Sequence, residues 1–258
     1  VSSAGDLNGD GFDDVIIGAP DGGYVVFGKA SGFDATMNLS DIDGNDGFRL
    51  EGADPHFGSH GAVISDAGDI NGDGFDDVIV GSPSAGPRYS SEYNYYSYGY
   101  GAGYVVFGKA SAFSDVLDLA SLDGTNGFRL DGAGKRNYAG ASVSSAGDVN
   151  GDGFDDAIMG TSTGGYIVFG KAAGFDAAMN LSAIDGNNGF RLDGAVTHSP
   201  FAMSAIFSAA GDVNGDGFDD VIIGASDADP NGENSGSSYV VFGKASGFDA
   251  AMNLSNLD

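Results

Sequence analysis

DLNGDGFDDVIIGAP, residues 6–20, is the stretch whose reading decides the fold. Asp, Asn and Asp alternate around glycine, and the run leads straight into a short apolar segment rich in β-branched residues. It returns as DINGDGFDDVIVGSP (69–83), DVNGDGFDDAIMGTS (148–162) and DVNGDGFDDVIIGAS (212–226). Self-similarity at this scale marks a repeat architecture. Each copy is followed by a second apolar segment: GYVVFGK at 23–29 and 103–109, GYIVFGK at 165–171 and SYVVFGK at 238–244. GFRL follows at 47–50, 127–130 and 189–192, and VSSAG-like segments precede the Asp runs at 1–5, 61–68, 140–147 and 205–211.

Short runs of Val, Ile, Phe and Tyr closed by Gly, Asp or Asn are strand signatures. Each unit therefore supplies four strands, antiparallel to their neighbours because the joining loops are tight. Four-stranded sheets in tandem describe an all-β protein, a β-propeller of four-stranded blades. The expected blades span roughly 1–54, 55–134, 135–196 and 197–258. Fifteen strands are legible, because no fourth GFRL follows NLSNLD at the end of the last blade. Either the four blades close on themselves as a ring, or they are part of a larger propeller.

The chemistry lies in the Asp runs. In the first, Asp6, Asn8 and Asp10 alternate, Gly11 permits a sharp turn, Phe12 offers its carbonyl and Asp14 closes the set. The same roles fall to Asp69, Asn71, Asp73, Phe75 and Asp77; to Asp148, Asn150, Asp152, Phe154 and Asp156; and to Asp212, Asn214, Asp216, Phe218 and Asp220. Six or seven hard oxygen ligands in a flexible loop describe Ca²⁺ rather than Mg²⁺. Four Ca²⁺ sites are expected. An EF-hand needs Glu at the twelfth position, where this chain has Ile17, Val80, Met159 and Ile223, and these loops lead into strands rather than helices. An Asx-rich turn without metal explains any single copy. Four copies with every ligand position intact favour the cation, and carboxylates crowded together without one repel by several kcal/mol per pair, at about 4–5 Å and an effective dielectric of about 20.

Composition agrees. The chain has 258 residues, 37 acids against 10 bases, a formal charge of −27 and no cysteine. That charge argues against nucleic acid and anionic membrane surfaces as partners and favours cations. Without Cys there is no disulfide framework or thiolate chemistry. No apolar run approaches the roughly 20 residues of a transmembrane helix, so direct membrane insertion is not expected. No nucleophile elbow, HExxH or phosphate-cradling loop is present, and the reading is not an enzyme.

The loop resembles the calcium motif of FG-GAP repeats, the units of the integrin α-subunit β-propeller. Phe57-Gly58 and Gly81-Ser82-Pro83 match the two ends of the repeat in the second unit, and Gly18-Ala19-Pro20 matches the far end in the first. The third unit departs with Tyr138-Ala139 and Gly160-Thr161-Ser162, and the fourth with Phe201-Ala202. Near-identity between units is more similar to bacterial secreted arrays than to animal integrins. The resemblance implies an extracellular or cell-surface, adhesive role, with ligands engaged on the face away from the calcium loops.

Spacing locates the variable parts on that face. From the first Asp of a run to the following YVVFGK Tyr is 18 residues in units one and three, 35 in unit two and 27 in unit four. The added length lies between the second and third strands, at the end of the blade opposite the Asp loop. Length variation concentrated on one face marks a binding surface. The insert PRYSSEYNYYSYGYG (87–101) carries Tyr89, Tyr93, Tyr95, Tyr96, Tyr98 and Tyr100, a paratope-like mixture of Tyr with Ser, Gly and Asn. The histidines His56, His60 and His198 and the bases Lys135 and Arg136 fall in crossovers on the same side, while repeat-borne Lys29, Lys109, Lys171 and Lys244 read as solvated charges. The function expected is an adhesion or ligand-binding module whose partner is a protein or carbohydrate on a cell surface or matrix. The alternative is a structural subunit that self-associates into a filament or surface layer.

Overall fold

The computed structural model describes residues 1–19, 22–52, 62–86, 99–172, 174–194, 205–229, 231–233 and 235–257. Short strands separated by glycine turns fill it. The first sheet contains β1 (Ser2–Gly5), β2 (Asp14–Ala19), β3 (Gly22–Val26) and β4 (Gly47–Glu51), each antiparallel to the next. The second repeats this order with β5 (Val63–Gly68), β6 (Asp77–Ser82), β7 (Ala102–Val106) and, after a short β8 (Val116–Asp118), β9 (Gly127–Asp131). The third has β10 (Val143–Gly147), β11 (Asp156–Gly160), β12 (Gly164–Val168) and, after β13 (Ala178–Asn180), β14 (Gly189–Asp193). The last has three strands, β15 (Ala205–Gly211), β16 (Asp220–Ala225) and β17 (Ser237–Val241), and β18 (Ala251–Asn253) follows. This is the all-β propeller pattern of blades in sequence order.

Three strands beyond the fifteen expected are β8, β13 and β18. Each pairs in parallel with the outermost strand of the preceding blade: β8 on β4, β13 on β9 and β18 on β14. The first three blades are thereby five-stranded, with the fifth strand lent by the next repeat. After each lent strand the chain turns into one 3-10 turn, capped by Asp118, Asn180 or Asn253 accepting from the N–H two residues on. Asn38 caps the matching turn of the first repeat. Three of the four turns are Asn-Leu-Ser, at 38–40, 180–182 and 253–255, and the second is Asp118-Leu119-Ala120; in each the cap sets a structural turn.

Two blades meet face to face through side chains that alternate along each strand. Ile16, Ile79 and Ile158 are fully buried against the following blade, and Val78, Ala157 and Val221 against the preceding one. Three apolar cores result, one per junction. Each also contains a triad of rings. Phe27, Phe48 and the following repeat's Phe113 cluster at the first junction, with Phe48 stacked on Phe113 at 4.4 Å. Phe107, Phe128 and Phe175 repeat the triad, as do Phe169, Phe190 and Phe248.

The four blades form an open row. The innermost strands pack in the order β1, β5, β10, β15. The side chains that a closed ring would bring together, Val15 on the first blade and Ile222 on the last, are 41% and 42% exposed. Of the two arrangements expected, the closed four-bladed ring is not the one the structure takes.

Candidate functional site

Each Asp loop joins the first two strands of its blade, and its approach is set by a bulge. The register of β1 on β2 shifts between Ser3 and Gly5, and the same shift occurs before the other three loops. Gly5 sits at φ 60°, which swings the chain out of the sheet and into the loop. Inside the loop, Gly11 at φ 87° makes the turn that folds the run back on Asp6.

The loop's own N–H groups converge on its side-chain oxygens. Asp6 accepts from Asp10 N at 3.0 Å and Gly11 N at 2.9 Å, Asn8 accepts from Asp10 N at 2.9 Å, and Asp10 accepts from Phe12 N at 3.0 Å. The second loop repeats this with Asp69, Asn71 and Asp73. In the third, Asp148, Asn150 and Asp152 do so. In the fourth, Asp212, Asn214 and Asp216 follow suit. Gly217 N–H holds the Asp212 carboxyl below its ordinary range.

The last Asp of each run points inward. Asp77 accepts from Ile70 N at 3.0 Å and Gly108 N at 2.9 Å, so it ties the loop to the third strand's exit. Asp14, Asp156 and Asp220 do the same. All four are buried. Burial, with the charges of Asp73 and Asp69 nearby, pushes Asp77 up to about 8; burial acts likewise on Asp156, to about 8, and on Asp14, to about 6. The ion pairs of the described residues are Arg49–Glu51, Arg129–Asp131 and Arg191–Asp193, none of them with a loop carboxylate.

Asp6, Asn8, Asp10, Phe12 and Asp14, and their three sets of counterparts, thus lie along four loops that each join the first two strands of a blade. The structure does not draw three carboxylates of the described residues together at ligating distance; Asp6 and Asp10, and their counterparts, are turned onto main-chain N–H groups. The donor set is nevertheless all oxygen. A carboxylate oxygen accepting one N–H keeps a second lone pair. A buried carboxylate with like charges beside it and no basic partner is the environment that a hard cation neutralises.

Two roles in the same run were not read from the sequence. The eighth residue, the first Asp of each DD pair, reaches across to the preceding blade: Asp76 accepts from Asp6 N at 2.7 Å, Asp155 from Asp69 N at 2.8 Å and Asp219 from Asp148 N at 2.9 Å. The Phe before it packs its ring on a glycine of the preceding loop, Phe75 on Gly9, Phe154 on Gly72 and Phe218 on Gly151. The signal was available, since Phe-Asp stands unchanged in all four runs although a cation needs only the Phe carbonyl there. The repeat lysines Lys29, Lys171 and Lys244 are exposed and Lys109 half-buried, and they also make a ring contact. Each lies over the ring four residues on, Lys109 over Phe113 at 4.6 Å and Lys29, Lys171 and Lys244 over Phe33, Phe175 and Phe248 at 4.8 Å.

Comparison with known proteins fits this arrangement. The FG-GAP repeat model matches residues 1–33, 63–107 and 206–241. The chain carries integrin-like FG-GAP repeats. It is 30% identical over 163 residues to integrin alpha-4 of Xenopus laevis, covering 61% of this chain and 14% of that protein. Over 168 residues it is 31% identical to integrin alpha pat-2 of Caenorhabditis elegans, covering 60% of this chain and 12% of that one. A longer match, 223 residues at 26% identity, is to integrin alpha-8 of Gallus gallus and covers 86% of this chain and 19% of that one. The chain therefore spans less than a fifth of these relatives. The repeat outside the FG-GAP matches is the third, whose Tyr138-Ala139 and Gly160-Thr161-Ser162 depart from the motif.

The other end of the blades is built differently. Strand alternation places the connections between second and third strands, and the crossovers, opposite the Asp loops. There the crossover after β9 threads between blades: Ala139 N donates to Tyr100 O, Ser162 N to Asn137 O, and Ser162 Oγ to Arg136 O. A cavity of about 390 Å³ opens beside it, lined by Gly86, Tyr100, Tyr104, Arg129, Asp131 and Asn180 among others. Of the Tyr-rich insert only Tyr100 is described. Tyr89, Tyr93, Tyr95, Tyr96 and Tyr98 lie outside the described residues, as do His56, His60, His198, Arg88, Phe57-Gly58 and Phe201-Ala202. No helix of the described residues is long and apolar enough to cross a membrane.

Proposed function

We propose that the chain is a calcium-stabilised FG-GAP propeller module that binds a protein or carbohydrate ligand outside the cell, at the end of its blades away from the Asp loops. The observation that carries the metal half is the buried Asp77, pressed by neighbouring carboxylates and without a basic partner among the described residues. In each loop the first, third, fifth and ninth side chains and the seventh carbonyl would hold Ca²⁺. The cation would neutralise the carboxylates that otherwise repel, so binding and folding are coupled. The ligand half rests on two features: repeats whose length varies only opposite the loops, and a cavity at that end edged by Tyr100 and Arg129. Tyrosines with Ser, Gly and Asn give contact area with adaptable hydrogen bonding. The relatives named integrin alpha support adhesion as the role.

The test has two arms. Melting in excess chelator and with added Ca²⁺ reads the metal sites: an unchanged transition sinks them. Binding of the intact chain to a glycan array and to matrix proteins, against a deletion of residues 89–98 combined with Tyr100→Ala, reads the face. Loss of binding with an unchanged melting temperature is expected, and binding that survives the deletion moves the ligand elsewhere.

A further inference from the structure

The third repeat departs from the family motif at Tyr138-Ala139 and at Gly160-Thr161-Ser162, and both departures meet in one crossover, residues 132–141. Ser162 stands where the first two repeats have Pro20 and Pro83. Its N–H donates to Asn137 O at 2.8 Å, a bond that proline has no hydrogen to make, and its Oγ donates to Arg136 O at 2.6 Å. Within the crossover, Asn137 N donates to Gly134 O at 3.2 Å and Ala133 N to Asn137 Oδ1 at 3.3 Å. The tip is therefore tied both to itself and to the hairpin between β11 and β12.

Those ties hold the backbone in a conformation it would not adopt unaided. Among the described residues, the non-glycine residues with positive φ are Arg136, at 62°, and Tyr138, at 50°. A bulky side chain in the left-handed region is strained, and such strain persists only where its surroundings over-determine it, characteristically at binding sites. What this strained tip presents is Lys135 and Arg136, adjacent and exposed. The repeats commit their own bases elsewhere: Arg49, Arg129 and Arg191 to neighbouring acids, and the four repeat lysines to phenylalanine rings. On a chain of formal charge −27, a basic pair has been placed outside the repeat pattern and fixed there.

Both legs of the crossover rest on the wall of the cavity of about 390 Å³. Gly132 lines it and donates to Gly101 O at 3.0 Å, and Ala139 N donates to Tyr100 O at 3.1 Å. Tyr100, Asp131 and Asn180 give that cavity a ring and hydrogen-bonding groups. We propose that tip and cavity form one site for an acidic sugar, whose carboxylate or sulfate pairs with Lys135 and Arg136 while its ring enters the cavity beside Tyr100. This site rests on the ligand-binding reading of that face and narrows its ligand. The cavity is of the size that holds a small ligand, about 300 Å³ and upward. A single acidic group also suits the charge of the chain: it meets the basic pair at contact, while repulsion from carboxylates more than about 8 Å away is screened at physiological ionic strength. A polyanion or an acidic protein surface would face those carboxylates along its whole length.

The test is an array that carries each neutral glycan beside the same glycan bearing a carboxylate or a sulfate, with acidic peptides and matrix proteins as further spots. The intact chain in Ca²⁺ should prefer the acidic glycans. The double variant Lys135→Glu, Arg136→Glu should lose at least about tenfold in affinity for them, with the melting temperature of the parent because both side chains are exposed. Ser162→Ala frees the Arg136 carbonyl and should reduce the acidic-over-neutral preference although both bases remain. Arg136→Gly accepts the left-handed backbone without strain, so it should melt no lower than the parent while binding the acidic glycan more weakly. Lower melting with unchanged binding in that variant would make Arg136 structural and overturn the site. Equal binding of neutral and acidic glycans, or full affinity in the double variant, overturns the site but leaves a ligand on that face. Preference for acidic peptides over acidic glycans does the same, and binding to no glycan or matrix protein overturns both.

Discussion

Phe113 and Phe33 occupy the same place in neighbouring repeats, four residues after a lysine that lies over the ring, yet one is buried and the other exposed. Asp76 and Asp13 make the same contrast: one is half-buried and caps the N–H of Asp6, and the other is exposed. The local sequence is the same, and only the presence of a preceding blade differs. Burial in this molecule is a property of junctions between repeats, as nearest-neighbour models of repeat proteins require.

Calcium removal should have the largest effect and tests whether loops and junctions are coupled. A site held at a hundredfold excess over its Kd contributes about 2.7 kcal/mol. Four sites, at roughly 2–4 °C per kcal/mol for a chain of this size, predict a fall in melting temperature on the order of 20 °C or more. The fourth loop has no blade against Gly211 and Gly215. In a stepwise chelator titration it should release its ion first, followed by Asp216→Ala as the reporter variant. Simultaneous loss from all four loops would show that neighbours do not matter to the site.

Phe113→Ala should come next. It removes a ring stacked on Phe48 and should cost about 3–5 kcal/mol, whereas Phe33→Ala at the free end should cost under about 1 kcal/mol. Equal losses in urea denaturation would break the comparison. Asp76→Ala leaves the Asp6 N–H without its acceptor and should cost about 1–3 kcal/mol; Asp13→Ala should stay within about 0.5 kcal/mol. The smallest change in stability should be that of the variant lacking residues 89–98, which keeps the Tyr100 carbonyl that accepts from Ala139 N. Its melting temperature should stay within about 2 °C of the parent, because surface connections tolerate length change cheaply.

Much of the arrangement was legible from residue order. Runs such as VIIGA and YVVFGK announce strands because β-branched and aromatic residues bounded by glycine suit a sheet buried on both faces. The all-oxygen character of each loop follows from Asp or Asn at every second residue. The lent strands β8, β13 and β18 were not legible. Val116-Leu117-Asp118 and Ala178-Met179-Asn180 are three residues long, too short for periodicity, and their partners lie in another repeat. The Phe-Asp pair escaped for a related reason. Its place in the run suggested only a loop carbonyl and a spacer, while its side chains act across a junction that no single repeat contains.

The sequence by itself determined the repeat, the strands of each blade and the oxygen-lined loops, because these depend on backbone preference and on side chains within a few residues. The tertiary structure decided which copies of an identical side chain are covered and how a blade borrows its fifth strand. Those outcomes rest on packing between distant segments, where identical residues experience different surroundings.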